Sequence, residues 1–161
     1  VPSNKDRFLR KETLQGFVHD EASAFFGGLA GNAGLFSTAR DVARVYQMLL
    51  NGGEIDGQRY LSKETCQLFT TETSKISRRG LGFDKPDADD PKKGNCAPAA
   101  PAEVYGHTGF TGTCAWVDPM NELVYVFLSN RIYPDVTNRK LNQLHIRERI
   151  QGAIYDAMKK K

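Results

Sequence analysis

Chemistry in this sequence concentrates in two short groups. Gly106-His107-Thr108-Gly109-Phe110-Thr111 sets an imidazole, a hydroxyl and a bare stretch of backbone in succession. An imidazole there can carry or donate a proton near neutral pH, or bind a substrate's anionic group. Thr108 offers a hydroxyl, and glycine at 109 lets a substrate come near the backbone. The second group is His19-Asp20-Glu21, three ionisable side chains in a row within a segment of apolar and small residues. Each has a plainer reading: His107 as a surface histidine on an edge strand, and His19-Asp20 as a capped loop instead of a pair behind the same cleft. His19, Asp20 and His107 fit no zinc spacing, and His145 falls on the polar face of an expected helix, so no metal is expected. Gly27 to Phe36 places four glycines in eight positions, yet no Gly-Lys-Ser/Thr follows and no strand clearly precedes. Phosphate binding is not expected there, and the sequence calls for no cofactor.

The elements that position these groups follow from pattern. Residues 104–130 read as three strands in a row: a polar, Gly-interrupted strand at about 104–110, a β-branched and aromatic one at 113–118, and an unbroken apolar one at 123–128. Gly112 marks the first turn and Asp118-Pro119-Met120-Asn121 the second. The six-residue apolar run predicts a strand covered on both faces. Trp116 and Tyr125 are candidate core residues of the sheet.

Upstream, residues 1–16 are polar and read as a loop. Ser37-Thr38-Ala39-Arg40-Asp41 is a helix start, with hydroxyl caps and an acid in the first turn. Val42, Val45, Tyr46 and Leu49 then give one apolar face, and Asn51-Gly52-Gly53 stops the helix. Asp56-Gly57 reads as a turn or hairpin, and Ser62 caps a second helix running to about Phe69. Leu81-Gly82-Phe83 is a candidate short strand. Residues 84–101 hold four of the seven prolines, four acids and three lysines, which predicts a surface excursion. Asn138 is a plausible cap for a last helix whose apolar side runs from Leu141 to Met158, and that helix is expected on the sheet.

The bulk properties exclude several classes. The chain has 161 residues with 40% apolar and 25% charged side chains, enough for one domain with a core. A net charge of +3 without a basic, aromatic-laced patch argues against nucleic-acid binding. No apolar run reaches the roughly 20 residues of a membrane span. Cys66, Cys96 and Cys114 form no metal pattern and no disulfide framework; one disulfide is open, and free thiols are the plainer reading.

Four pieces in order carry a family resemblance. Gly106-His107-Thr108-Gly109 resembles the Lys/His-Thr-Gly box of the serine β-lactamase and penicillin-binding-protein superfamily, in the His form of the class C-like esterases and D-amino-acid peptidases. Gly28 to Asp41 resembles the segment that precedes a helix in the same family. Val18-His19-Asp20-Glu21 and Phe127-Leu128-Ser129-Asn130-Arg131 are similar to the β-lactamase-like domain that some Bacteroidetes-type proteins carry behind a family 3 glycosidase (β-N-acetylglucosaminidase) domain. The resemblance covers about residues 15–155. It implies an α+β fold, an antiparallel sheet with the C-terminal helix packed on it. It implies a serine hydrolase acting on amide or ester bonds in cell-wall peptides, β-lactams or small esters, outside the cytoplasm, periplasmic or secreted. His107, Thr108, Gly109 and Phe110 are its implied site residues, with the Phe110 amide as one oxyanion donor. His19, Asp20 and Thr111 are candidates for substrate binding or a supporting shell.

The departures weigh equally. No serine here has lysine three positions later: Ser37 is followed by Arg40, Ser62 by Thr65, Ser74 by Ser77. Tyr-x-Asn, the family's second box, is also missing. Family order places both before Val1, so the chain is expected to be the C-terminal part of one such domain, inactive alone. Its expected partners are the domain's N-terminal part, a possible glycosidase domain, and another copy pairing along an exposed sheet edge. The alternative is a non-catalytic domain that binds cell-wall material or braces a glycosidase.

Overall fold

The computed structural model describes residues 2–71, 76–87, 89–90 and 94–159. Its centre is the expected meander. For the elements in chain order, β1 (Asn4–Lys5) and β2 (Thr13–Leu14) form a small hairpin where the sequence reads as loop. Asp6 accounts for the difference. Its carboxylate accepts from the amides of Phe8, Leu9 and Arg10 and from Arg10 Nε (2.6 Å), closing the turn and holding the carboxyl far below the usual carboxylate range.

α1 (Glu21–Phe25) is capped by Asp20, and α2 (Ala39–Leu50) by Thr38, whose hydroxyl accepts from the Asp41 amide. β3 (Glu54–Ile55) and β4 (Gln58–Arg59) make the Asp56-Gly57 hairpin, and α3 (Lys63–Thr70) starts at the Ser62 cap. β5 (Tyr105–Thr108), β6 (Cys114–Asp118) and β7 (Leu123–Phe127) follow as a three-stranded antiparallel sheet in that order. α4 (Lys140–Gln143) and α5 (Ile146–Met158) end the chain.

The two faces of the sheet have different covers. In register, Trp116 lies beside Gly106 and Tyr125, and Cys114 beside Phe127. This face packs with Val104, Cys96 and Ile154 into the core, under α5. Tyr155 donates to Asp118 (2.9 Å), and the Tyr125 hydroxyl donates to the Arg147 carbonyl (3.1 Å), so α5 lies on the sheet as expected. The opposite face meets α2, with Tyr46, Phe83 and Tyr105 stacked edge to face at 6.3 and 5.4 Å. All three cysteines are free and buried, and burial pushes the Cys96 thiol up to about 12.

Several expectations need correction. Strand β7 is not fully covered: only Tyr125 is buried, and its four neighbours in the strand are half-buried. Residues 81–83 form no strand; Gly82 turns the chain at φ 99°, and pairing begins at Asp84, which bridges Gly106. The excursion at 84–101 is tied down at both ends, since Asp84, Lys85, Cys96 and Ala97 are buried; Ala88, Pro91, Lys92 and Lys93 lie outside the described residues. The last helix is broken. Asn138 does accept from the Lys140 amide (3.1 Å), but His145 adopts a left-handed conformation (φ 48°) between α4 and α5 instead of lying on a polar helix face.

Candidate functional site

The sheet shapes the His-Thr-Gly strand from both sides. On the inner side, Tyr105 and His107 stand opposite Val117 and Ala115 of β6. On the outer side, Asp84 N donates to Gly106 O (2.7 Å) and Gly106 N donates to Asp84 O (3.0 Å), and among the described residues the outward pairing stops there. Strand alternation turns the N–H and C=O of Thr108 to that same outer edge, two residues past the last partner. Among the described residues the edge is therefore closed at 106, and at 108 the N–H is left unpaired while the carbonyl meets the ring of His107. Gly106 is glycine for a packing reason: a Cβ there would stand 2.1 Å from Ala115 O and 2.6 Å from Trp116 Cε3.

Beyond the strand, residues 109–112 form a tight turn. Gly112 N donates to Gly109 O (2.9 Å), with Gly112 at φ 103°, and Gly109 N donates to Thr113 O (2.8 Å). A Cβ on Gly109 would meet Thr113 Oγ1 at 2.2 Å, so the bare carbon serves the turn itself. Ser129 Oγ donates to Gly112 O and Arg131 N to Thr111 O, both at 2.9 Å, seating the turn on the exit of β7. Among the described residues, no acceptor is bonded to the Phe110 N–H.

His107 is exposed, and its two neighbours select one tautomer of the neutral ring. Nδ1 lies 2.7 Å from Thr108 O, which can only accept, so Nδ1 carries a hydrogen. Nε2 lies 3.1 Å from Arg79 Nη1, which can only donate, so Nε2 is the acceptor. Both nitrogens are engaged, and in this arrangement the ring has no free N–H to give. The cation beside it comes from Arg79, which the sequence reading missed. Its twin, Arg78, is spent on the buried Asp84: Arg78 Nε and Nη2 donate to the carboxylate at 2.8 and 3.1 Å, with Asn95 Nδ2 at 2.8 Å. Burial would raise the Asp84 carboxyl; those donors outweigh it and leave the group lowered. Arg79 makes no such carboxylate pair among the described residues, and its exposed guanidinium faces the box. The only signal in the sequence was an Arg-Arg pair before Gly80-Leu81-Gly82, 28 residues from the histidine that it meets.

The second group divides. Asp20 Oδ1 accepts from the Ser23 amide (2.8 Å) and Asn32 Nδ2 (3.0 Å), pinning α1 to the glycine-rich loop. His19 reaches the box, its ring edge-on to Phe110 at 5.1 Å and 72°. Both its ring nitrogens are buried without a hydrogen-bond partner among the described residues, and burial, then the charge of Arg10, lowers its pKa. No group of three potential metal ligands occurs among the described residues. Two concavities lie away from the box, one beside α5 lined by Cys96, His145 and Glu148, the other between α2 and α3.

A meander whose first strand carries His-Thr-Gly on an open edge, backed by a C-terminal helix, defines the class. Residues 3–148 match the family model described as Beta-lactamase, and the chain belongs to the beta-lactamase family. It is 36% identical over 135 residues to the "Putative D-alanyl-D-alanine carboxypeptidase" of Escherichia coli (strain K12), covering 83% of this chain and 31% of that protein. The protein of the same description from Salmonella typhi gives the same identity and coverage. The chain thus spans about a third of the length of these relatives. Among solved structures, a penicillin-binding protein homolog from Caulobacter crescentus matches with a TM-score of 0.44 and 26% identity, over 55% of this chain and 24% of that one.

Proposed function

We propose that these residues form the His-Thr-Gly wall of a serine hydrolase that acts on an amide or ester bond, outside the cytoplasm. The carrying observation is the end of β5: among the described residues outward pairing stops at Gly106, the Thr108 N–H turns to the free edge, and the Phe110 N–H has no acceptor. An extended substrate can lie along such an edge as an added strand. The Phe110 amide then serves as one oxyanion donor, a role worth about 3 kcal/mol of barrier. Arg79 gives the site a preference. The relatives carry the name of a carboxypeptidase for D-alanyl-D-alanine, a substrate that ends in a carboxylate, and an exposed guanidinium beside His107 suits that group.

The nucleophile and its base come from polypeptide outside these 161 residues, which hold no Ser-x-x-Lys. The same polypeptide would cover Phe25, Phe26, Leu29, Leu35 and Phe36, all largely exposed here. The remainder of the β-lactamase-like unit is thus this chain's first partner, and a glycosidase domain beyond it belongs to the same proposal. The test is acylation. The gene's complete product, incubated with benzylpenicillin or a D-alanyl-D-alanine peptide, should give a covalent acyl adduct by mass spectrometry and turnover of the peptide. The 161-residue chain should give neither. An adduct on the isolated chain, or none on a complete product containing Ser-x-x-Lys, overturns the proposal.

A further inference from the structure

We infer that His19 and Arg131 are positioning residues that hold the Phe110 N–H in place by gripping the Phe110 side chain, an inference that rests on the oxyanion role proposed for that amide. The Phe110 N–H shares a peptide plane with Gly109 O, which accepts from Gly112 N. Within one plane the two groups point in opposite directions, so the N–H is aimed away from the turn and moves with it. Whatever limits rocking of the turn therefore limits rocking of the donor.

Among the described residues, the hydrogen bonds that tie residues 110–112 to other segments lie on the β7 side. Arg131 N bonds Thr111 O and Ser129 Oγ bonds Gly112 O. On the Phe110 side, the side chain is the handle. Phe110 is 62% exposed, so burial gives it little reason to keep one position. Two residues from distant segments nevertheless contact it: His19 edge-on at 5.1 Å, and the Arg131 guanidinium carbon 4.8 Å from the ring centroid. Both are themselves fastened. Arg131 Nη1 donates to the carbonyls of Val136 and Asn138, and the His19 carbonyl accepts from Arg10 Nη2 (2.9 Å). An apolar side chain in place of His19 would spare two buried nitrogens that have no hydrogen-bond partner among the described residues. A group kept at that cost calls for a role other than stability.

The test is a double-mutant cycle in the gene's complete product with H19A, F110A, the double variant, and H19F as rescue. Two quantities are read: kcat and KM, and hydrogen exchange at the Gly112 and Arg131 amides. H19A is expected to lower kcat about 10- to 100-fold with KM nearly unchanged, the scale of a small misplacement of a catalytic group. It should also speed exchange at both amides. H19F should restore most of each, and H19A in the F110A background should add little. Additive effects of H19A and F110A, or an H19A protein with unchanged kcat and exchange, overturn the inference. If the wild-type product does not turn over, the oxyanion reading fails, and the same cycle read by exchange alone still decides whether His19 and Phe110 are coupled.

Discussion

At the scale of single residues, the site is a matter of which charges are already paired. Arg78 and Arg79 are adjacent, yet one is locked on Asp84 and the other faces His107. Replacing Arg79 with Ala is expected to raise KM for a carboxylate-ended peptide about 10- to 100-fold, the loss of a charged hydrogen bond of about 1.5–3 kcal/mol. kcat and KM for a neutral ester should stay within about threefold, and comparison of the two substrates checks it. His19 gives a pH signature. Burial and Arg10 hold its pKa below 6.5, against the weaker pull of Asp20, Asp6 and Glu21. The unfolded chain then takes up the proton first, so stability is lost as pH falls through 6.5 towards the folded value. Melting temperature should thus drop more steeply below pH 6.5 in the wild type than in H19F; parallel curves would show that His19 does not titrate against the fold. His107 and its box were legible in the sequence because their spacing is local. Arg79 was not, because its contact is made across 28 residues that only the fold brings back.

Elements follow the same division. The Thr38 and Ser62 caps, the Asp56-Gly57 hairpin and the three-strand meander were readable, since each is decided within a few residues by caps, turns and alternation. The β1–β2 hairpin was not, because Asp6 builds its turn from backbone amides that no periodicity reports. Nor was the break at His145, a non-glycine residue with positive φ. Two glycines on well-formed elements make a test of this reading. Gly106→Ala drives a methyl into Ala115 O and the Trp116 ring, so it should cost about 2 kcal/mol or more. Gly152 sits within α5 with nothing within 4 Å of an added Cβ, so Gly152→Ala should gain about 0.5–1 kcal/mol. Thermal melts of both variants check the pair, and opposite signs are expected.

At the scale of the whole molecule, one sheet edge decides behaviour. Gly106 bonds outward to Asp84, so Tyr105 and His107 bond inward to Val117 and Ala115. Alternation then turns Cys114, Trp116 and Asp118 towards β7, where they meet Phe127, Tyr125 and Leu123. Val124 and Val126 are left with their N–H and C=O on the outer edge of the last strand, in an apolar run and beside a half-exposed α2. Such an edge is a template for another chain. The large exposed side chains from Phe25 to Phe36 add apolar surface that a monomer of this size does not ordinarily leave in water. The isolated 161-residue chain is therefore expected to associate at micromolar concentration, and to do so less when the proposed remainder of a β-lactamase-like unit is supplied. Sedimentation velocity over a concentration series gives the first half. Hydrogen exchange gives the second: Val124 and Val126 should exchange quickly in whatever monomer remains, and at least tenfold more slowly once the edge is paired, while Tyr125 is slow in both. A single sharp monomer in which Val124 and Val126 are as protected as Tyr125 would mean that the edge is already covered, and the case for a missing neighbour on that side would fall.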